Sequence, residues 1–251
     1  DGGVVTSLLT HALEAGMIDY AVGTAKSSED PWRPKPTIMK SWEQIRAAAG
    51  TKVTTSGSLS AIADAWLGYP ESKLAFVGLP CQIQALRRIL TTPHGPRKYG
   101  ESVELAIGLF CNNSYRYNKL IRDFLKTQKN CDLQTITKMR LDAKDDCYIA
   151  CEGEKTVVDI PTKEIEPYLL GACTKCNDFT SELADVSIGA NGAPKGWCTL
   201  LVRSEKGEAL VKSAVEKKVV ELKPLADGLS VISEISSKKK KREAPYISRT
   251  I

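Results

Sequence analysis

Cys173 and Cys176 form a C-x-x-C, which places two thiolates on one short turn, close enough to hold the same metal centre. Two further cysteines recur in a shared context. Residues 73–79 read as a buried strand that Pro80-Cys81-Gln82 turns into a helix over 83–90, and residues 103–110 read as a strand ending at Cys111. A thiol at a helix N-terminus sits in the partial positive charge of that helix, which favours the thiolate. Strands that both end in cysteine bring the two thiols to one edge of a sheet. Cys81, Cys111, Cys173 and Cys176 are therefore the candidate metal site. Four thiolates suit either structural Zn²⁺ or a [4Fe–4S] cluster. Zinc ribbons usually use two C-x-x-C pairs, whereas here one pair joins two isolated cysteines.

The other chemistry-bearing residues are few. The chain has 8 Cys but only 2 His, His11 and His94, which disfavours His-rich zinc sites and His-based nucleophilic catalysis. Cys131, Cys147, Cys151 and Cys198 read as free thiols, with a second cluster as the alternative. Cysteines in a chain without secretory features argue for a reducing compartment, so a cytoplasmic location is expected. Directly after the C-x-x-C, residues 184–189 read as a short buried strand running into a Gly/Pro/Asn loop at 190–196. Such a loop lets backbone approach a ligand closely. Gly2, Gly3 and Thr6 at a helix start offer free N–H groups and a hydroxyl, suiting an anionic or phosphate-bearing ligand, or else form a plain N-terminal turn.

The elements that must position these residues follow from patterning. An amphipathic helix is expected over 8–15 with Gly16 after it, then a strand over 17–26. Residues 29–36 carry three prolines and read as an irregular surface loop with Trp32 between charges. Ser41-Trp-Glu-Gln44 fits a capping box for a helix ending at Gly50. Helices follow at 58–67 and 114–126. Short β-like runs at 136–141, 147–152 and 155–160 read as a small antiparallel insertion. A strand at 198–203, a helix at 205–217 and a final strand at 219–225 complete the body. The fold class is α/β: a mixed sheet flanked by helices (1–130 and 161–230), with the β insertion at 131–160 and a basic tail at 231–251. With 251 residues and 42% hydrophobic content, the chain can bury a full core. No apolar run approaches a membrane span. The chain opens on Asp1-Gly2-Gly3 without Met, so a leading segment is expected to be missing. Part of the +5 net charge lies in Lys238–Arg242, read as a solvated tail, with docking onto a partner or nucleic acid as the alternative.

These residues resemble the β-subunit family of the coenzyme F420-reducing hydrogenases and F420-dependent formate dehydrogenases of methanogenic archaea. The likeness is carried by Asp1-Gly-Gly-x-x-Thr6, Trp32-x-Pro-x-Pro36, Ala47-Ala-Ala-Gly-Thr-Lys52, Pro80-Cys-Gln82 and Phe110-Cys111. It continues through Cys173-x-x-Cys176 and Glu182–Ser187 to Gly196-Trp197. The resemblance implies one [4Fe–4S] cluster, on Cys81, Cys111, Cys173 and Cys176, an FAD, and coenzyme F420 as substrate. It implies flavin-binding segments at Gly2, Gly3, Thr6, Gly50, Thr51, Lys52, Pro80, Gln82, Ser187, Gly189, Asn191 and Gly192. No side chain is expected to be catalytic, because the flavin N5 would carry the hydride.

The expected function is that of a β subunit passing electrons from the cluster through FAD to coenzyme F420, or back. Its expected partners are other subunits of a hydrogenase or formate dehydrogenase complex, with no nucleic acid. Arg33, Lys35 and Lys195 are candidates for balancing the deazaflavin's phosphate and carboxylates. Two alternatives remain open: the same cofactors serving a different acceptor, and a non-enzymatic Cys₄ zinc module.

Overall fold

The computed structural model describes residues 3–93, 95–142 and 147–242. In chain order its elements are α1 (Val4–Glu14), β1 (Tyr20–Lys26), β2 (Pro34–Met39), α2 (Trp42–Ala47) and α3 (Ser60–Gly68). Next come β3 (Leu74–Gly78), α4 (Pro80–Thr91), α5 (Arg97–Glu101), β4 (Val103–Leu109) and a π-wound helix (Asn118–Gln128). The chain continues with β5 (Lys138–Asp142), β6 (Cys147–Glu152), β7 (Lys155–Pro161) and α6 (Thr162–Ile165). It closes with β8 (Val186–Gly189), β9 (Thr199–Val202), α7 (Glu205–Glu216) and α8 (Gly228–Lys240).

Six strands form one mixed sheet in the order β2-β1-β3-β4-β8-β9. The four central strands are parallel, and β2 and β9 close the edges antiparallel. Alternation along the strands separates two cores. Tyr20, Val22, Leu74, Phe76 and Ala106 pack under α3 and α4, while Ala21, Ala75, Leu105, Ile107 and Val186 pack under α1 and α7. Parallel strands buried on both faces need apolar residues at successive positions, and β3 and β4 supply them. The smaller sheet, β5-β6-β7, is antiparallel. Met139, Tyr148, Ala150, Val158 and Ile160 join Leu120, Ile121 and Phe124 of the π-wound helix in a separate core.

The expected α/β architecture is therefore present, with local corrections. The first helix begins at Val4 rather than residue 8, with Gly3 in the left-handed region at its N-cap (φ 73°). Pro34 and Pro36 are not irregular: they lie in β2, whose place at the edge of the sheet leaves room for residues that lack an N–H. Trp32 is not a surface aromatic, being 6% exposed within the core that packs the small sheet against the π-wound helix. The helix expected from residue 114 starts at Asn118, because Tyr115 pairs its backbone with Thr54 and Leu169 instead. Residues 219–225 form no strand, since β9 already closes that edge and Leu222 is left exposed.

The register of β8 depends on Asp185 and Gly207. Buried Asp185 accepts from Ala106 N (2.7 Å), from the Ser204 hydroxyl (2.7 Å) and from Arg87 Nη2 (3.1 Å), tying β4, the α7 cap and α4 together. A Cβ on Gly207 would lie 2.2 Å from the Asp185 carbonyl oxygen, so α7 sits on β8 only because residue 207 has no side chain. Gly207→Ala should cost about 3 kcal/mol, the upper end for overpacking, because the obstructing atom is backbone. Gly57→Ala, whose Cβ meets nothing within 4 Å, should cost far less. Denaturant midpoints of the two variants provide the check.

Candidate metal centre and adjoining pocket

Pro80 opens α4 directly after β3, so Cys81 occupies the helix's first turn, and Cys111 follows the end of the neighbouring parallel strand β4. Both thiols lie at the carboxyl ends of adjacent parallel strands, where open α/β sheets place their chemistry. The Cys111 amide donates to Phe179 O (2.9 Å), which brings the C-x-x-C segment alongside. Cys173 and Cys176 lie on a short helical turn, and the Ser114 amide donates to Cys173 Sγ (3.3 Å). All four are free thiols.

They are near enough to influence one another. Cys81 is exposed as a residue, but desolvation of its thiol raises its pKa, and Cys176 and Cys173 raise it further. Burial pushes Cys111 up to about 12, opposed by Lys239 and reinforced by Cys173, Cys81 and Cys176. Among the described residues, no group of three or more His, Cys, Asp or Glu side chains is placed so that it could hold a metal ion. The four thiols influence one another electrostatically, and no histidine or carboxylate among the described residues acts on Cys81 or Cys111.

Asp178 fastens this group. Its buried carboxylate accepts from Gln84 Nε2 of α4 (3.1 Å) and from the Glu182 amide, and so fixes the C-x-x-C segment to the helix that carries Cys81. From the other side comes the basic run, which is not a solvated tail. Lys239, 2% exposed, donates to the carbonyls of Cys111 and Asp178 (2.9 Å for the latter). Arg242 donates to Asn112 O, Asn113 Oδ1 and Cys173 O at 3.0–3.1 Å, and to Asn112 Oδ1 at 2.9 Å. The correction has a simple cause: every third or fourth residue of a helix shares one face, so α8 turns Lys239 inward while Lys238 and Lys240 pair outside, and Arg242, just past the helix end, folds onto the same loops.

A cavity of about 270 Å³ is lined by Lys26, Trp32, Gly50, Lys52 and β5 residues among others. Gly50 holds φ 89°, a left-handed turn that sends Lys52 back toward the cavity wall. Lys52 Nζ donates to Ala48 O and Ala49 O, and burial, with Lys26 adding, holds its pKa down to about 8. The residue after Lys52 is linked to the thiol segment. Val53 O accepts from Ser114 Oγ (3.4 Å) and Tyr115 N (3.2 Å), and Ser114 is the residue that touches Cys173.

The other expected ligand-binding residues are dispersed. Gly3 and Thr6 begin α1, and Gly2 lies outside the described residues, as does His94. Gln82 caps α4: its Oε1 accepts from Leu79 N and its Nε2 donates to Ser56 O, while Pro80 is buried. Ser187 is fully buried between Ser181 O and Arg203 Nε, and Phe110 covers Gly189. Asn191 O accepts from the Thr199 hydroxyl, and the backbone at Gly192 closes on Gly228 of α8. Thus the glycine loop seats a helix. Arg33 pairs with Asp30 (2.6 Å) over the Tyr117 ring, Lys35 lines a second, more open cavity of about 440 Å³, and Lys195 is exposed. His11 is a packing residue bonded to Ser213 (2.9 Å). Gln84, Asp178, Lys239 and Arg242 escape sequence reasoning; only the position of Asp178 just after the C-x-x-C hints at its role.

Fold and site together define an α/β protein that gathers thiols and a cationic pocket at the carboxyl edge of a parallel sheet. Residues 1–63 match the N-terminal part, and residues 71–228 the C-terminal part, of the coenzyme F420 hydrogenase/dehydrogenase beta subunit. The chain belongs to this family. It is 33% identical over 251 residues to the coenzyme F420 hydrogenase subunit beta of Methanothermobacter thermautotrophicus, covering 99% of this chain and 88% of that one. It is 35% identical over 230 residues to a coenzyme F420-dependent sulfite reductase of Methanocaldococcus jannaschii, covering 87% of this chain but 35% of that protein. A structure of the F420-reducing [NiFe] hydrogenase complex from Methanosarcina barkeri superposes with a TM-score of 0.89 at 29% identity, covering 96% of this chain and 83% of that one.

The Lys52 shift predicts a pH dependence. Its folded pKa of about 8 lies below the ordinary lysine value of about 10.4, so between these pH values the unfolded chain binds more protons. The burial cost is complete below about pH 8 and is relieved as pH rises. Stability of the wild type relative to Lys52→Met should therefore rise by about 3 kcal/mol from pH 7.5 to pH 10.5. Denaturant midpoints at stepped pH measure it.

Proposed function

We propose that this chain is the iron–sulfur and flavin subunit of a coenzyme F420-dependent oxidoreductase complex, with Cys81, Cys111, Cys173 and Cys176 holding a [4Fe–4S] cluster. The observation that supports the reading is that Cys81, Cys111, Cys173 and Cys176, all free thiols, lie within electrostatic reach of one another, with no histidine or carboxylate among the described groups acting on Cys81 or Cys111. The donor chemistry fits. Zinc bonds of about 2.3 Å draw four sulfurs tightly around one ion, whereas a four-iron cluster spreads its thiolates around a larger body. Four cysteine sulfurs contributed by three separate chain segments suit the second.

The pocket fits part of a flavin dinucleotide. Its volume lies at the small end of ligand sites, enough for a diphosphate or a ring but not a whole dinucleotide. Lys52 is desolvated against carbonyls with Lys26 beside it, which leaves the wall short of negative charge. A phosphate would supply that charge, and Trp32, under Lys26 at 4.4 Å, closes the apolar side. A bound cluster supplies one-electron transfer, and a bound flavin supplies the exchange between single electrons and hydride. This chain's residues hold and orient them: Ser114 links the Cys173 thiol to Val53 O, and Asp178 keeps the cysteine segments together. The sulfite reductase relative, matched over about a third of its length, favours one alternative: the same electron-transfer unit serving a different acceptor.

Metal analysis tests the ligand set. Cys173→Ser should lose most iron and sulfide, whereas Cys198→Ser, which precedes β9 and packs against the α1/α7 core, should keep both. Equal loss in the two variants would contradict the assignment.

Stopped-flow absorbance tests the substrate. Reduced coenzyme F420 should bleach the flavin of the purified protein, and Cys81→Ala should spare this half-reaction, since hydride exchange needs flavin and not cluster. No bleaching at full flavin occupancy, with ready reduction by another donor, would favour the different-acceptor reading.

A further inference from the structure

Among the described residues Lys239 is the one lysine buried to this degree. Among the described residues its ammonium reaches only neutral acceptors, the carbonyls of Cys111 and Asp178. Its neighbours on α8 are paired at the surface, Lys238 with Glu234 (2.6 Å) and Lys240 with Glu182 (2.8 Å). No carboxylate among the described residues lies in ion-pair range of Lys239. A buried cation held by carbonyl dipoles alone is costly unless an anion lies close by.

The carbonyls it holds identify where that anion belongs. One is the carbonyl of Cys111 and the other lies two residues past Cys176, so the charge is buried against two of the three thiol-bearing segments. Arg242, one turn further, donates to residues 112, 113 and 173 and adds a second cation on the same loops. The seat of α8 is specific. A Cβ on Gly228 would lie 2.1 Å from Gly192 O, and one on Gly192 would lie 2.6 Å from Gly228 O, so the helix meets the sheet's glycine loop backbone to backbone. Ile232, 4% exposed, packs at the same contact and sets the face that points Lys239 inward.

We propose that Lys239, seconded by Arg242, is the fixed counter-charge of the anionic group held by the four cysteines, so that α8 sets that group's reduction potential. The inference rests on the iron–sulfur reading above. Four thiolates outweigh the positive charge of a four-iron core, and reduction adds one further negative charge. A cation in the low-dielectric interior stabilises the reduced form more than the oxidised form and raises the potential. Lys239 is a positioning residue in this account, since it touches the backbone that carries the ligands.

The test is a potentiometric titration of the purified holoprotein, followed by electron paramagnetic resonance, with iron and sulfide measured on each sample. Lys239→Met should shift the reduction equilibrium at least tenfold toward the oxidised form, about 59 mV more negative for one electron. Lys239→Arg should hold the wild-type potential within that margin, and Lys238→Met, which removes a surface charge, should leave it unmoved. Unchanged potential in an iron-replete Lys239→Met overturns the proposal, as does an equal shift in Lys238→Met. If Lys239→Met does not retain iron, recovery of iron and potential in Lys239→Arg supports the counter-charge, and loss in both overturns it. A wild-type preparation free of iron and sulfide would instead overturn the iron–sulfur reading, and this proposal with it.

Discussion

Three chain segments remote in sequence must bring cysteines to one place with no cross-link between them, and buried Asp178 makes this possible. Its side chain is bound by Gln84 from α4 and by the Glu182 amide, and its carbonyl accepts from Lys239. One residue thereby joins the helix carrying Cys81, the segment carrying Cys173 and Cys176, and the C-terminal helix that also grips Cys111. Hydrogen bonds to a buried carboxylate are among the stronger kind, about 1.5–3 kcal/mol each, and losing a partner exposes the desolvation cost of the charge. The thiols can remain free and still be ordered because their backbones are held by these contacts.

Charge runs through the rest of the site in one sense. Lys26 and Lys52 line the pocket, while Lys239 and Arg242 back the thiol loops; Lys52 and Lys239 meet carbonyls where carboxylates would be the ordinary partners. The protein bears a standing cost that anionic ligands would relieve. Such an arrangement couples ligand retention to fold stability, because whatever binds the folded state alone stabilises it by mass action. The two cores on either side of the six-stranded sheet, by contrast, are conventionally apolar.

The basic run changes meaning with this geometry. In isolation Lys238–Arg242 is a patch that any anionic surface could attract. On α8 the helical period splits it into paired surface lysines and inward Lys239, with Arg242 just past the helix end, and Gly192 against Gly228 fixes which way the helix faces. The glycine loop after β8, legible as a site of close backbone approach, does make one, but to this helix.

Much was legible from the chain alone. Strand–cysteine–helix order at Cys81 and Cys111, and C-x-x-C spacing at Cys173, are local patterns, and local patterns survive into the fold because parallel β-α units put strand ends at one edge. The small antiparallel sheet was equally readable from period-two runs. Register, partners and facing were not. Whether Pro34 and Pro36 end a strand or lie in one depends on β2 being an edge. Trp32 is buried because a separate core lies above it, and Lys239 is buried because of a glycine contact 36 positions upstream of Gly228. These outcomes rest on contacts between distant segments, which residue type and spacing cannot specify; only the packed chain decides which charges it buries and which side chains it turns toward the thiols.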